Sequence, residues 1–243
     1  VTLCCGTVNR KNLALSGQNT LEMLEKINID MKRTFTFLMT ALFLCVGMVK
    51  AAVTDVPEMS TDGDIKWYTI KNVRKQKYAT YAGEASSMTQ QATVQDGSLF
   101  YFTGTVADGV ATVKIHNALA GELLCAGTNS WTAEGIDWYI AAKTTTGLAI
   151  SKTADFSGTE SWNDFQGGGQ KVDYWTATDD GSIWEIELFG SDIQKSIDKL
   201  LACKENPQFG EPKYNEEAYN ALVAAYDVFK ANATMANYNA CAG

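Results

Sequence analysis

Short runs of alternating apolar and polar residues, separated by Gly, Asp, Asn and Ser, fill the chain from Ile65 to Phe189. Alternation with a period of two is typical of β-strands with one buried face, and the residues between the runs favour turns. Two of these runs, DGSLFYF from Asp96 and DGSIWEI from Asp180, share the tripeptide Asp-Gly-Ser followed by apolar and aromatic residues. The pattern therefore predicts an all-β region that is internally repeated.

The repeat has three units, each containing two long strands. One strand of each unit carries an isoleucine at the same place, at Ile70, Ile115 and Ile150. The other strand carries an aromatic residue, at Phe100, Trp138 and Trp184. Shorter candidate strands lie between them, at residues 77–82, 92–95, 122–127, 130–135, 160–165 and 171–175. A six-stranded barrel capped by three hairpins needs one large apolar residue per unit near its axis, so we predict that the three aromatic residues are buried.

Three four-stranded units that share these aromatic positions resemble the β-trefoil of the ricin-B-type lectins, over about half of the chain. The family has a glutamine two residues before the aromatic, where this chain has Ser98, Ile136 and Ser182. An asparagine follows the first strand in two units, as Asn72 and Asn117. The resemblance implies a β-trefoil over residues 65–190 and a function in carbohydrate binding.

Helical periodicity replaces the alternation beyond Gly190. A first helix is predicted from Ser191 to the Asn206-Pro207 stop, and a second from Asn215. Their apolar faces are Ile193, Ile197, Leu200 and Leu201 in the first, and Tyr219, Leu222, Val223, Tyr226 and Phe229 in the second. The tail from residue 231 is predicted to be a loop, and the helical segment 191–243 to be truncated.

Residues 31–51 have the pattern of a signal peptide. Met31-Lys32-Arg33 is followed by an apolar run over 34–48, and small residues precede a predicted cleavage after Ala51. The run is shorter than the roughly 20 residues of a membrane span, and a buried core helix is the alternative. Residues 1–30 are then interpreted as a non-native upstream segment, and residues 52–64 as a linker.

The chain from Ala52 onward is acidic, with 14 Lys and Arg against 25 Asp and Glu. Nucleic-acid binding relies on basic side chains that neutralise phosphates, so this balance argues against a nucleic-acid partner and against anionic membrane surfaces.

Groups for catalysis or metal binding are sparse. His116 is the one histidine, and its place opposite Ile115 on a strand predicts a solvated or turn-bonded ring. Cys125, in an apolar strand, is predicted to be a small buried residue. Gly167–Gly169 is predicted to form a hairpin tip, and Asp179-Asp180 a turn. We therefore predict no catalytic residue, no metal and no cofactor.

Several aromatic and short polar residues outside the predicted barrel axis are of the kinds that bind sugars. An aromatic ring can stack on the apolar face of a sugar, while carboxylates and amides bind its hydroxyls. The candidate carbohydrate-binding residues are Asn129, Trp131, Trp162, Asn163, Asp164, Tyr174 and Trp175. The alternative is that Trp162 and Trp175 close the bottom of the barrel in the third unit.

The order of signal peptide, trefoil and helices resembles the accessory modules of secreted glycan-degrading proteins from Bacteroidetes-like bacteria. The resemblance implies an exported, non-catalytic carbohydrate-binding module, located in the periplasm, on the cell surface or outside the cell. Its partners would be a glycan and a glycoside hydrolase domain fused at the C-terminus. The alternatives are a structural spacer or protein-binding trefoil without a sugar site, and an N-terminal fragment of a larger secreted enzyme.

Overall fold

Residues 55–164, 170–205 and 214–242 are described by a computed structural model. The predictions for residues 1–51, for Gly167–Gly169 and for the stop at Asn206-Pro207 lie outside these residues. The strands are β1 (Tyr68–Asn72), β2 (Tyr78–Thr80), β3 (Thr89–Gln91), β4 (Phe100–Ala107), β5 (Val110–Asn117), β6 (Leu124–Gly127), β7 (Ser130–Thr132), β8 (Trp138–Thr144), β9 (Gly147–Ser151), β10 (Ser161–Asn163), β11 (Asp173–Trp175) and β12 (Trp184–Leu188).

Six of the strands close a ring. Antiparallel pairing runs from β1 to β4, β5, β8, β9 and β12, and β12 pairs again with β1. The other six form the two-stranded hairpins β2–β3, β6–β7 and β10–β11. A barrel of six strands with three hairpins is a trefoil-like arrangement, and it confirms the three units of four strands. One predicted strand was misplaced: residues 92–95 form no strand, and β3 lies just before them.

The barrel axis is filled as predicted. Phe100, Trp138 and Trp184 are completely buried, and so are the three repeated isoleucines. The two indole N–H groups are satisfied inside the core, because Trp138 Nε1 donates to the carbonyl of Cys125 at 2.8 Å and Trp184 Nε1 to that of Trp162 at 3.0 Å. Phe100 is the equivalent residue of the first unit, and its side chain has no polar atom that needs a hydrogen-bond partner. Cys125 is buried, as predicted.

The repeated Asp-Gly-Ser tripeptides each form a short 3-10 turn immediately before the aromatic strand, at Asp96–Ser98 and Asp180–Ser182. The serine of each turn bonds the end of its own unit's second strand. The hydroxyls of Ser98 and Thr80 lie 2.7 Å apart, and Asn163 Nδ2 donates to the Ser182 hydroxyl at 2.9 Å. The repeated Asp-Gly-Ser sequence therefore forms the same local structure in both units.

The asparagines after the first strands tie neighbouring units together at these turns. Asn117 Nδ2 donates to the carbonyls of Gly97 and Leu99, at 2.9 and 3.0 Å. Asn72 Nδ2 makes the matching bonds, to Gly181 at 2.8 Å and to Ile183 at 3.3 Å. Each turn is thus held by the unit that follows it around the ring.

Three helices follow the barrel: α1 (Ser191–Glu205), α2 (Glu216–Ala231) and α3 (Met235–Ala242). Asn215 caps α2 by accepting from the backbone of Glu217 and Ala218, at 3.0 and 3.2 Å. The predicted face of α1 is only half buried, because Ile193 and Ile197 are covered whereas Leu201 is exposed. The tail from residue 231, predicted to be a loop and the beginning of something further, contains α3 after a short non-helical stretch.

The helices cover one side of the barrel. Phe229 of α2 and Ala233, which follows it, pack with Trp67 and Leu99 in a second hydrophobic cluster. Trp67 Nε1 donates to the carbonyl of Lys230 at 2.9 Å. These contacts make the barrel and the helices parts of one packed unit.

Residues 55–64, in the segment predicted to be a linker, also contact the barrel. Ser60 is buried, and its backbone N–H donates to the carbonyl of Phe102 at 2.7 Å. The backbone N–H of Glu58 donates to the Tyr68 hydroxyl at 3.0 Å.

Candidate functional site

Two of the predicted sugar contacts, Trp131 and Trp162, lie inside the hydrophobic core. Trp131 is 2% exposed and packs edge-on against Tyr81, with ring centroids 4.9 Å apart. Trp162 is completely buried and lies edge-on to Trp138 at 5.5 Å. A sugar can stack only on an accessible ring face, so the assignment of these two residues to a carbohydrate site is corrected. Trp162 is buried in the barrel, as the alternative interpretation had it, but Trp175, which that interpretation also placed there, is exposed.

Asp164 and Asn163 are structural as well. Asp164 is completely buried and accepts two hydrogen bonds from the guanidinium of Arg74, one of them from Nε at 3.0 Å. Asn163 Nδ2 donates to Asp179 Oδ1 at 3.0 Å and to the Ser182 hydroxyl. The Asn163 side chain and the Asp164 backbone N–H, which donates to Gly181, bond the second Asp-Gly-Ser turn, and the Asp164 carboxylate is used by Arg74. This corrects their assignment as sugar contacts.

Tyr174 and Asn129 are brought together across the junction of the second and third units. The Tyr174 hydroxyl accepts from the backbone N–H of Thr128 at 2.8 Å. A Cβ on Gly127 would lie 3.0 Å from that hydroxyl and 3.6 Å from Asn129 Oδ1. The Lys152 ammonium lies 3.9 Å from the centre of the Tyr174 ring. The Lys152 ammonium therefore already contacts the Tyr174 ring. The Asn129 side chain is exposed beside the Tyr174 hydroxyl.

Trp175 differs from the other five tryptophans of the chain. Its side chain is 53% exposed, whereas the others are at most 7% exposed. Asp173 lies two residues before it on β11, and side chains at this spacing project from the same face of a strand. Of the predicted aromatic contacts, Trp175 alone offers an open indole face.

A pocket of about 250 Å³ lies beside the second Asp-Gly-Ser turn. Its lining residues are Val73, Arg74, Thr144, Thr146, Asp180 and Ile183. Val73 and Ile183 supply apolar surface, while the other four supply hydroxyls, a carboxylate and a guanidinium. Such a mixture of an apolar floor and a few polar groups is typical of small-molecule sites.

Charge in this pocket is dominated by carboxylates. Arg74 pairs with Asp164, and its Nη1 lies 3.6 Å from Asp179 Oδ1. The hydrogen bond with Asp164, together with the charges of Asp179 and Asp180, raises the pKa of Arg74 above its ordinary value although partial burial lowers it. Three carboxylates therefore surround one guanidinium, and the local charge is negative.

His116, predicted to be solvated or turn-bonded, is instead half-buried against β4. Its ring stacks on Tyr101, with centroids 4.1 Å apart, and its Nε2 lies 2.9 Å from the Thr103 hydroxyl. Burial lowers the pKa of His116 to about 4, so the ring is neutral at pH 7. It packs on β4, and it does not line the pocket beside the second Asp-Gly-Ser turn.

The sequence interpretation missed Arg74, Thr144, Thr146 and Asp180 as site residues. Asp179-Asp180 was interpreted as turn chemistry, and Asp179 does accept from the backbone of Gly181 at 2.8 Å. The available clue was the duplicated tripeptide, because it places an aspartate at the same point of two units. Arg74 and Asp164 are 90 residues apart, so no local pattern joins them.

Within residues 55–164, 170–205 and 214–242, no helix is long and apolar enough to cross a membrane. The same residues contain no group of three or more His, Cys, Asp or Glu side chains that could hold a metal ion.

No protein family and no curated protein matches this sequence. Among solved structures, the chain is similar to a designed 3-fold symmetric protein, ThreeFoil. The sequences are 12% identical, the TM-score is 0.36, and the match covers 49% of this chain and 96% of the designed protein.

Proposed function

We propose that this chain is an exported, non-catalytic carbohydrate-binding module with a β-trefoil fold of the ricin-B lectin type, accessory to a secreted glycoside hydrolase. The observation that carries the proposal is the exposure of Trp175. Five tryptophans are buried where the hydrophobic effect places them, and this one is left in water.

An open indole with a carboxylate on the same strand face suits one pyranose ring. The indole covers the apolar face of the sugar, and Asp173 accepts from its hydroxyls through charge-assisted hydrogen bonds. Such a shallow contact is weak on its own, with a free energy of about 4–6 kcal/mol, or a Kd from millimolar to high micromolar. Weak contacts of this kind become useful when a tethered enzyme repeats them along a polymer.

The experiment is a glycan screen on the whole protein, followed by titration of the best ligand against Trp175→Ala and Trp175→Phe. Alanine removes the stacking surface and should abolish binding, while phenylalanine keeps an aromatic face and should retain most of it. Both variants should melt within a few degrees of the parent protein, because the side chain is exposed. Either the absence of any glycan ligand or undiminished binding by Trp175→Ala would reject the proposal.

The competing function is a protein-binding or spacer trefoil. It is favoured by exposed apolar residues on the helices, namely Leu201 of α1 and Val228 of α2, which are 38% and 55% exposed. The glycan screen separates the two functions, since a protein-binding module has no sugar ligand.

Export rests on the signal-peptide pattern over residues 31–51. Expressed in a Gram-negative host, the protein should be recovered outside the cytoplasm with Ala52 at its N-terminus, as read by N-terminal sequencing. A cytoplasmic product that retains Met31 would contradict the export proposal.

A further inference from the structure

The pocket beside Asp180 has a counterpart elsewhere on the barrel. Tyr68 pairs with Phe100 at the first Asp-Gly-Ser turn, and Leu148 pairs with Trp184 at the second. The residues just before them, Trp67 and Gly147, therefore occupy equivalent places, as do Leu99 and Ile183. Beside the first turn this surface is covered by α2 and the start of α3. Beside the second turn it forms the pocket.

The first residue of each turn is an aspartate, and Asp96 shows what a carboxylate at this position can bind. Asp96 accepts a hydrogen bond from the backbone N–H of Met235, the first residue of α3, at 2.6 Å. A carboxylate at the start of a helix also complements the positive end of the helix dipole. The aspartate that begins this turn is thus placed to receive a hydrogen-bond donor, and Asp180 lies in the same place at the edge of an open pocket.

Gly147 has no side chain to cover the pocket, and the residues around it pack closely. A Cβ there would lie 2.5 Å from Ile183 Cγ2 and 3.3 Å from Val73 Cγ2, both on pocket-lining residues. At the equivalent position the first unit has Trp67, which packs with Phe229 of the helix. With only Val73 and Ile183 as apolar floor, the pocket offers too little apolar area for a helix, and its hydroxyl and carboxylate walls suit a small polar ligand.

We propose that the pocket lined by Asp180, Arg74, Thr144, Thr146, Val73 and Ile183 binds one pyranose ring that carries a protonated amino group. This inference rests on the proposed carbohydrate-binding function and adds a second site to the one at Trp175. The volume of about 250 Å³ lies below the range of drug-sized sites and is suited to a single ring.

Each part of the ligand has a matching group. The apolar face of the ring lies on Val73 and Ile183, and the hydroxyls of Thr144 and Thr146, which are 3.2 Å from each other, bond its hydroxyl groups. The Asp180 carboxylate accepts from the ammonium. Because Asp164 and Asp179 outweigh the single guanidinium of Arg74, the pocket attracts a cation and repels a uronic acid.

The test is a ligand-observed NMR titration of the whole protein with glucosamine, glucose and glucuronate at pH 6.5 and low salt. Glucosamine should bind about tenfold more tightly than glucose, since a charge-assisted hydrogen bond is roughly twice as strong as a neutral one. Glucuronate should not bind. Raising the salt concentration should narrow the difference between glucosamine and glucose.

Asp180→Asn keeps the shape of the side chain and removes its charge, so it should bring glucosamine down to the affinity of glucose. The matched control is Asp108→Asn, an exposed residue of the β4–β5 turn with φ of 51°, a conformation that asparagine tolerates. The control changes the net charge by the same amount and should leave glucosamine binding as it is. Trp175→Ala should also leave it as it is.

Equal binding of the three sugars, or glucosamine binding that survives Asp180→Asn, would overturn the inference. If none of the three sugars binds while a larger glycan binds in a manner that depends on Trp175, the inference fails and the proposed function stands. If no carbohydrate binds at all, both fail.

Discussion

The two Asp-Gly-Ser turns have the same sequence and the same 3-10 form, yet one is covered by helices and the other borders an open pocket. Both glycines are needed for close approach: a Cβ at Gly97 would lie 2.7 Å from the Tyr81 carbonyl oxygen, and one at Gly181 would run into Arg74 and Asp164. The repeated residues set the local backbone. The residues that differ between the units decide what each turn contacts.

That difference is concentrated in a few positions. Trp67 supplies apolar area for Phe229 at the covered turn, whereas Gly147 supplies no side chain at the open one. Tyr81 donates its backbone N–H to Gly97 at the covered turn, and at the open turn Asp164 makes the equivalent bond and adds a carboxylate that Arg74 binds. One barrel therefore carries an apolar docking surface on one side and a charged recess on another.

The largest expected losses of stability come from substitutions of the aromatic residues at the barrel axis, on which both turns depend. Phe100→Ala, Trp138→Ala and Trp184→Ala should each reduce the free energy of unfolding by about 3–5 kcal/mol, because each empties a fully buried aromatic site. Chemical denaturation measures this directly. Losses below about 1 kcal/mol for all three would mean that the aromatic residues do not share one core, and the comparison of equivalent turns would lose its basis.

The ion pair of Arg74 and Asp164 should stabilise the open turn. At the covered turn the place of Asp164 is taken by Tyr81, which carries no charge to pair. Asp164→Ala removes the carboxylate from a guanidinium that is only 28% exposed, and we expect a loss of about 2–3 kcal/mol, below the range for fully buried pairs. Asp173→Ala, on the next strand, is the control and should change stability by less than about 0.5 kcal/mol. Unchanged stability in Asp164→Ala would reopen its assignment as a ligand contact.

Acid should weaken the covered side first, through His116. Its pKa of about 4 lies below the ordinary value, so the unfolded chain binds the proton more readily and stability falls as the pH drops from about 6.5 towards 4. Because the ring is partly exposed, we expect a loss of about 1–2 kcal/mol over this window. His116 stacks on Tyr101, which packs edge-on against Trp67 at 5.0 Å, so the effect reaches the helix-covered cluster.

Thermal unfolding of the parent protein and of His116→Gln between pH 7 and pH 5 checks this. The parent should lose stability as the pH falls and the variant should lose less. Parallel pH profiles would show that the histidine titrates at its ordinary pKa in the folded state.

Most of the barrel could be predicted because its residues repeat with a clear period. The isoleucine and aromatic strands recur in all three units, and their alternation places the core residues Ile70 and Phe100 without ambiguity. The hairpin strands were harder, since three residues carry too little alternation to fix a register. That is why β3 was misplaced and why Trp162 was a candidate sugar contact, with closure of the barrel left as the alternative.

Alignment of the hairpins would have corrected Trp162. Ala79, Cys125 and Trp162 occupy the middle of the second strand in their units, and all three are buried. The pocket was not predictable in this way, because it joins Arg74 to residues of the third unit through the closure of the ring.

The paired variants Asp96→Ala and Asp180→Ala test the central comparison most directly, with unfolding free energy and glucosamine affinity measured on each. Asp96→Ala should lose about 1 kcal/mol, since it removes the carboxylate at the start of α3, and should bind glucosamine normally. Asp180→Ala should keep its stability within about 0.5 kcal/mol and lose glucosamine binding. The same outcome for both variants, or the reverse assignment, would contradict the account that one turn holds a helix and the other a ligand.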